Sequence, residues 1–185
     1  MMRSLLGFLR NPAGAAAAEL ALVMPLLLIL MFGSVELSNL FMDQHALEKQ
    51  VRDGARYGAR LTISKSYACP GTVFEDTGYA TKIINVTKTG AVSGTGNPRW
   101  PTSYWARTCS SGNPTVAVTL RCFDKTQIDT AGDGVTGIYS SLPGTTIPVV
   151  KVSAEVKYRS LLAMVGFNAT NVCMTAESEA PVQGL

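Results

Sequence analysis

Residues 12–35 carry a single charged side chain, Glu19, and from Leu20 to Phe32 the chain is aliphatic or aromatic apart from Pro25. A membrane span needs about 20 mostly apolar residues at 1.5 Å rise each. This run meets that requirement. The residues before it hold Arg3 and Arg10 and no acid. The positive-inside rule then puts the amino terminus in the cytoplasm and everything after the span on the far side of the membrane.

A secretory signal peptide would share the basic start and the apolar core, with cleavage near Gly33 and Ser34. Helical patterning, however, runs past that point without a break. Leu37, Leu40, Phe41, Leu47, Val51 and Ala55 recur at steps of mostly three and four residues, and there is no proline between Pro25 and Pro70. That spacing is an amphipathic helix. The expectation is one helix over residues 15–63, about 70 Å long. Four regions follow: a basic leader (1–14), a membrane-spanning half-helix (15–36), a projecting amphipathic half-helix (37–63) and a soluble domain (64–185).

Glu19 breaks the apolar run. A carboxylate at hydrocarbon depth is costly unless paired, which makes it a candidate functional residue; a bland role as a helix-start charge is the alternative. It is the fifth residue after Gly14, counting Ala15 as the first. A short basic leader, a glycine, four small apolar residues, a glutamate and a long apolar helix together resemble the processing site of type IV pilin-like proteins. The resemblance narrows with Ala17-Ala18-Glu19-Leu20-Ala21-Leu22-Val23-Met24-Pro25, Phe32-Gly33, Glu36 and the later run Val51-Arg52-Asp53-Gly54-Ala55-Arg56-Tyr57-Gly58-Ala59. These are similar to the TadE-like proteins, minor pilins or pseudopilins of Tad/Flp pilus systems. Val156-Lys157-Tyr158 with Leu161, Leu162 and Gly166 is a weaker match. The strong resemblance covers residues 14–60. Major Flp pilins usually have Tyr after the glutamate and are much shorter. Here the residue is Leu20 in a chain of 185 residues, which favours a minor or assembly subunit.

The resemblance implies cleavage by a prepilin peptidase between Gly14 and Ala15, and pairing of Glu19 with the freed amino group of a neighbouring subunit. Loss of Arg3 and Arg10 with the leader would lower the formal net charge from +3 to +1. The implied partners are the peptidase, other pilus subunits and the inner membrane. The implied fold is α+β, a long amino-terminal helix packed on a small antiparallel sheet.

Gly54 and Gly58, with Ala55 and Ala59, give small-x-x-x-small spacing, which lets two backbones approach closely. Packing on the chain's own domain is the simpler expectation, a neighbouring helix the alternative. Arg52, Arg56 and Arg60 form a basic stripe at four-residue steps, preceded by Glu48. A solvated face accounts for it.

After residue 64 the composition shifts to Thr, Ser, Gly and Pro. Residues 74–87 read as a short helix ended by Gly90 and Gly94. Residues 116–122 and 150–158 alternate apolar with polar and read as strands, and 171–179 as a third. So small a sheet needs the projecting helix to cover it. Cys69, Cys109, Cys122 and Cys173 all fall in this domain, on the side where an oxidising compartment favours two disulfides. Four cysteines allow three connectivities, and their spacing leaves all three open. The lack of a C-x-x-C pair disfavours zinc.

Trp100, Tyr104 and Trp105 form an aromatic cluster, readable as an exposed contact patch or as core. The run Asp129-Thr130-Ala131-Gly132-Asp133-Gly134 has Ala131 and Ser140 where a calcium loop needs oxygen ligands and Glu, so it reads as a turn. His45 is the only histidine, and no nucleophile–base pair or metal-ligand spacing surrounds it. Nor is there a Lys/Arg cluster of the kind that binds nucleic acid. The sequence therefore points to a non-enzymatic protein without cofactor or metal. The rival reading is an extracytoplasmic binding module on an uncleaved signal anchor.

Overall fold

The computed structural model describes residues 12–61, 69, 74, 77–105, 115–128, 139–140, 145–165 and 172–183. Leader residues 1–11, Cys109, the turn at 129–134 and residues 62–63 of the expected helix lie outside the described residues.

One helix, α1 (Pro12–Ala59), dominates the chain with 48 residues. It opens at Pro12, where a missing N–H costs nothing, and continues through Pro25. Ser34 and Ser38 return their hydroxyls to the helix's own carbonyls of Met31 and Ser34, both at 2.8 Å. Their polarity is thus satisfied inside an apolar stretch.

Against the expected end at residue 63, α1 ends at Ala59. Arg60 and Leu61 donate to Tyr57 and Gly58 at 3.2 and 3.1 Å, the tightened i→i−3 pattern of a helix end. The Ala59 carbonyl accepts instead from the Gln183 N–H at 2.8 Å. A distant backbone donor thereby satisfies one of the carbonyls that a helix leaves open.

The described residues fall into two compact units. One runs to Phe41 and takes in the turn that starts at Ser160; the other begins at Met42 and holds the sheet.

In the second unit, Leu47, Val51, Ala55 and Ala59 recur every four residues of α1 and are all buried. They and Gly58 pack toward a three-stranded antiparallel sheet of order β1-β2-β3, with β1 Val116–Asp124, β2 Thr146–Lys157 and β3 Cys173–Pro181. The register pairs Leu120 with Val150, Val152 with Ser178 and Val156 with Met174. Val150, Val152, Ala154 and Val156 alternate with half-buried residues, the pattern of a sheet covered on one face. At its start β2 departs from this: Ile147, Pro148, Val149 and Val150 are all buried in succession. The strand therefore begins four residues before its alternation does.

A second helix, α2 (Thr77–Thr89), lies against α1. It starts and ends slightly later than expected. Gly90 closes it with φ +72°, a left-handed conformation open to glycine, and its N–H reaches the Val86 carbonyl at 2.8 Å. Gly94 has φ +77° and lies in the loop that the Asn85 side chain clamps by donating to the Val92 carbonyl at 3.1 Å.

Of the three connectivities, the structure contains Cys69–Cys122. Cys173 is also disulfide-bonded. Trp100 and Trp105 are core, edge to face at 5.8 Å between ring centres. Tyr104 is only half-buried.

Candidate functional site on the amino-terminal helix

From Leu20 to Phe41 α1 presents Leu, Ile, Val, Met and Phe side chains outward, with Leu22 80% exposed and Ile29 66%. In water such a surface would be untenable, since apolar area costs about 25 cal/mol per Å². A helix of this length and composition is able to cross a membrane, and among the described residues none of its most apolar 18-residue window is buried. The surface is thus available to lipid or to another helix.

Gly14 is half-buried, and residues 15–20 are exposed. Ala15 and Glu19 sit one helical turn apart on the same face, about 6 Å along the axis. Glu19 is the one ionisable group between them and Glu36. Among the described residues, apart from the neighbouring backbone of α1 itself, no atom lies within 4 Å of where a β-carbon at position 33 would be.

Glu36 ends the charge-free stretch. Its Oε2 accepts the Leu161 and Leu162 N–H groups at 3.2 and 3.3 Å. Those residues open a single 3₁₀ turn, Leu161–Val165. Sequence reading gave Glu36 no structural role; the available signal was its position as the first charge after the apolar run.

Within the second unit, two more polar contacts fix the start of the projecting half of α1. Arg99 donates to Asp43 Oδ1 through Nε (3.1 Å) and Nη2 (2.6 Å), with the Asp43 side chain only 10% exposed. The same guanidinium lies 5.7 Å from the Trp100 ring centre. Gln44 donates to the Thr175 carbonyl of β3 at 2.9 Å. None of these pairings was expected from the sequence.

Gly54 and Gly58 face inward. A β-carbon at 54 would overlap Thr87 Oγ1, and one at 58 would come within 2.9 Å of Ile83 Cδ1 and 3.0 Å of Val150 Cγ1. The small-residue stripe thus receives α2 and β2 of the same chain. Arg52, Arg56 and Arg60 are exposed. The open side of the sheet carries cross-strand ion pairs, Arg121 with Glu179 and Lys151 with Glu177, each at 2.8 Å. A shallow trough of about 530 Å³ lies beside Ser153, Glu155, Thr175 and Glu177. Among the described residues, no three His, Cys, Asp or Glu side chains are grouped to hold a metal ion.

Residues 14–56 match the TadE-like protein family. The match opens on Gly14 and spans Glu19, Glu36, Asp43 and Gly54, under a quarter of the 185 residues. This TadE-like segment coincides with the exposed apolar part of α1 and the first turns of its packed part. It links the chain to Tad pilus-associated proteins. No curated protein and no solved structure matches the chain.

Proposed function

We propose that this protein is a membrane-anchored minor pilin or pseudopilin of a Tad/Flp-type pilus, cleaved by a prepilin peptidase between Gly14 and Ala15. The amino terminus lies in the cytoplasm and the disulfide-bonded domain in the periplasm, following the basic leader. Its role is structural, in assembly or composition of the fibre, and not catalytic. The observation that carries this reading is the outward-facing apolar helix that begins around Gly14 and holds Glu19 as its one charge before Glu36.

The chemistry is economical. Cleavage creates an ammonium group at Ala15, one turn from the Glu19 carboxylate. Each charge is expensive in an apolar setting and less so when paired. A neighbouring subunit displaced along the fibre axis supplies the partner, and the exposed Leu, Ile and Met side chains supply the packing surface.

Amino-terminal sequencing of protein from cells with an active prepilin peptidase tests the reading. The expected mature start is Ala15, and Gly14→Leu is expected to leave the leader attached. Wild-type protein that keeps its leader in such cells would instead support a binding module on an uncleaved anchor.

A further inference from the structure

The 3₁₀ turn Leu161–Val165 lies 125 residues from Glu36 in sequence yet is fastened to it by two backbone hydrogen bonds. Its sequence is Leu-Leu-Ala-Met-Val, with no polar residue. Leu161 is 54% exposed, Ala163 is exposed and Leu162 half-buried. The turn thus shows a leucine outward while its first N–H groups are tied to a carboxylate.

Depth along α1 accounts for this. From Ala15 to Glu36 the helix rises about 32 Å, close to the roughly 30 Å of a bilayer's hydrocarbon core. Glu36 then falls where hydrocarbon gives way to headgroups, and the turn falls at the same level. The surface on α1 stays apolar past that level, with Leu37 and Phe41 both more than half exposed. At that depth the two N–H donors also lower the cost of placing a carboxylate beside hydrocarbon.

We propose that the Glu36-fastened turn at Leu161–Val165 is a second membrane contact, seated in the interfacial layer of the leaflet nearer the soluble domain. Its occupant is the lipid surface. With the span it makes a two-point attachment: α1 crosses the bilayer, and the turn, with Leu37 and Phe41, rests on its rim. Single apolar side chains at this depth gain from leaving water without having to bury a polar backbone, because the first N–H groups of the turn are already bonded. This inference rests on reading α1 as a membrane span.

The test uses the full-length protein in liposomes of phosphatidylethanolamine and phosphatidylglycerol, some with acyl chains brominated near the headgroup and others near the bilayer centre. Tryptophan emission is followed in Leu161→Trp and Leu28→Trp, each against the wild type, whose buried Trp100 and Trp105 set the background. Leu28→Trp should be quenched most by deep bromine. Leu161→Trp should show blue-shifted emission, quenched mainly by bromine near the headgroup. Adding Glu36→Ala should reduce that shallow quenching. If Leu28→Trp is not quenched, the span reading itself fails. If Leu28→Trp is quenched but Leu161→Trp emits as in water, the turn does not touch the membrane and the inference is overturned. Blue-shifted but unquenched emission at 161 would place a protein neighbour there and overturn it equally. Unchanged shallow quenching in the Glu36→Ala background would overturn the fastening role of Glu36.

Discussion

The hydroxyl of Thr87 occupies the space that a β-carbon at position 54 would need. Thr87 is fully buried, and its Oγ1 donates to the Ile83 carbonyl at 2.8 Å, so the hydroxyl is satisfied within its own helix. With no side chain at 54, α2 can approach α1 at this point. Gly58 does the same one turn later for Ile83 and Val150.

Gly54→Ala is therefore expected to destabilise the unit that holds the sheet, by about 1–3 kcal/mol of overpacking despite the better helix propensity of alanine. Thr87→Ala removes the overlapping oxygen and leaves behind only a helical carbonyl. The double variant should recover much of the loss, a positive coupling that chemical denaturation of the four proteins measures. Additive effects would mean that the two helices separate independently of this contact.

Asp43 and Arg99 make an asymmetric pair. The carboxylate is nearly buried, whereas the Arg99 side chain is 44% exposed. Removing Asp43 lets the guanidinium turn to water, while removing Arg99 strands a charge inside. Arg99→Ala should thus cost more, about 2–3 kcal/mol against about 1 kcal/mol for Asp43→Ala, after allowing for solvent at the arginine. It also takes away the cation above Trp100. Thermal unfolding of the two variants ranks them, and equal losses would refute the asymmetry.

Reduction should weaken the sheet-containing unit strongly. Cys69 and Cys122 are 53 residues apart, a loop whose closure constrains the unfolded chain by about 4 kcal/mol on entropic grounds. Cys173 is bonded too, and Cys109 is the one cysteine left in the sequence. Peptide mapping of unreduced exported protein should yield a Cys69–Cys122 linked pair and a second pair joining Cys109 with Cys173. Thiol labelling of the denatured, unreduced chain should find none free. A labelled cysteine at any of the four positions would contradict this.

The parts of the fold legible in the sequence are those written as local periodicity. The four-residue spacing of Leu47, Val51 and Ala55 and the alternation of Val150, Val152, Ala154 and Val156 each reflect one covered face, while the apolar run beginning near Leu20 is legible from its length alone. Where coverage is on both faces, as at Ile147, Pro148 and Val149, alternation disappears and the strand start is misplaced. The spacing of Gly54 and Gly58 announced a close approach but not its partner, because Thr87 and Ile83 come from another element. Polar pairings were the least legible. Glu36 with Leu161, Asp43 with Arg99 and Ala59 with Gln183 each join residues at least 56 apart in sequence. Any one of many carboxylates, guanidiniums or free N–H groups would satisfy local chemistry equally, and only the assembled fold selects among them.

Glu19 carries the sharpest functional expectation. It is exposed on a helix face one turn from Ala15, in a surface otherwise uncharged as far as Glu36. On the proposed reading the cost of its carboxylate is offset when a neighbouring subunit's amino terminus meets it. Glu19→Ala should leave membrane insertion intact or improved, since an intramembrane charge has gone. Cleavage after Gly14 should persist if the peptidase reads mainly the glycine. Association should fall, because an ammonium group is left at the packing surface without its counter-charge. Breaking a buried pair in this way costs about 3–5 kcal/mol, on the order of a hundredfold or more in affinity. Glu19→Gln, which keeps the shape and removes the charge, should show most of the same defect and so separates charge from packing. Co-purification of each variant with the other pilus subunits, beside a count of surface fibres, reads the outcome. Wild-type recovery and fibre number in both variants would reduce Glu19 to a helix-start charge, and the uncleaved binding module would then describe the protein better.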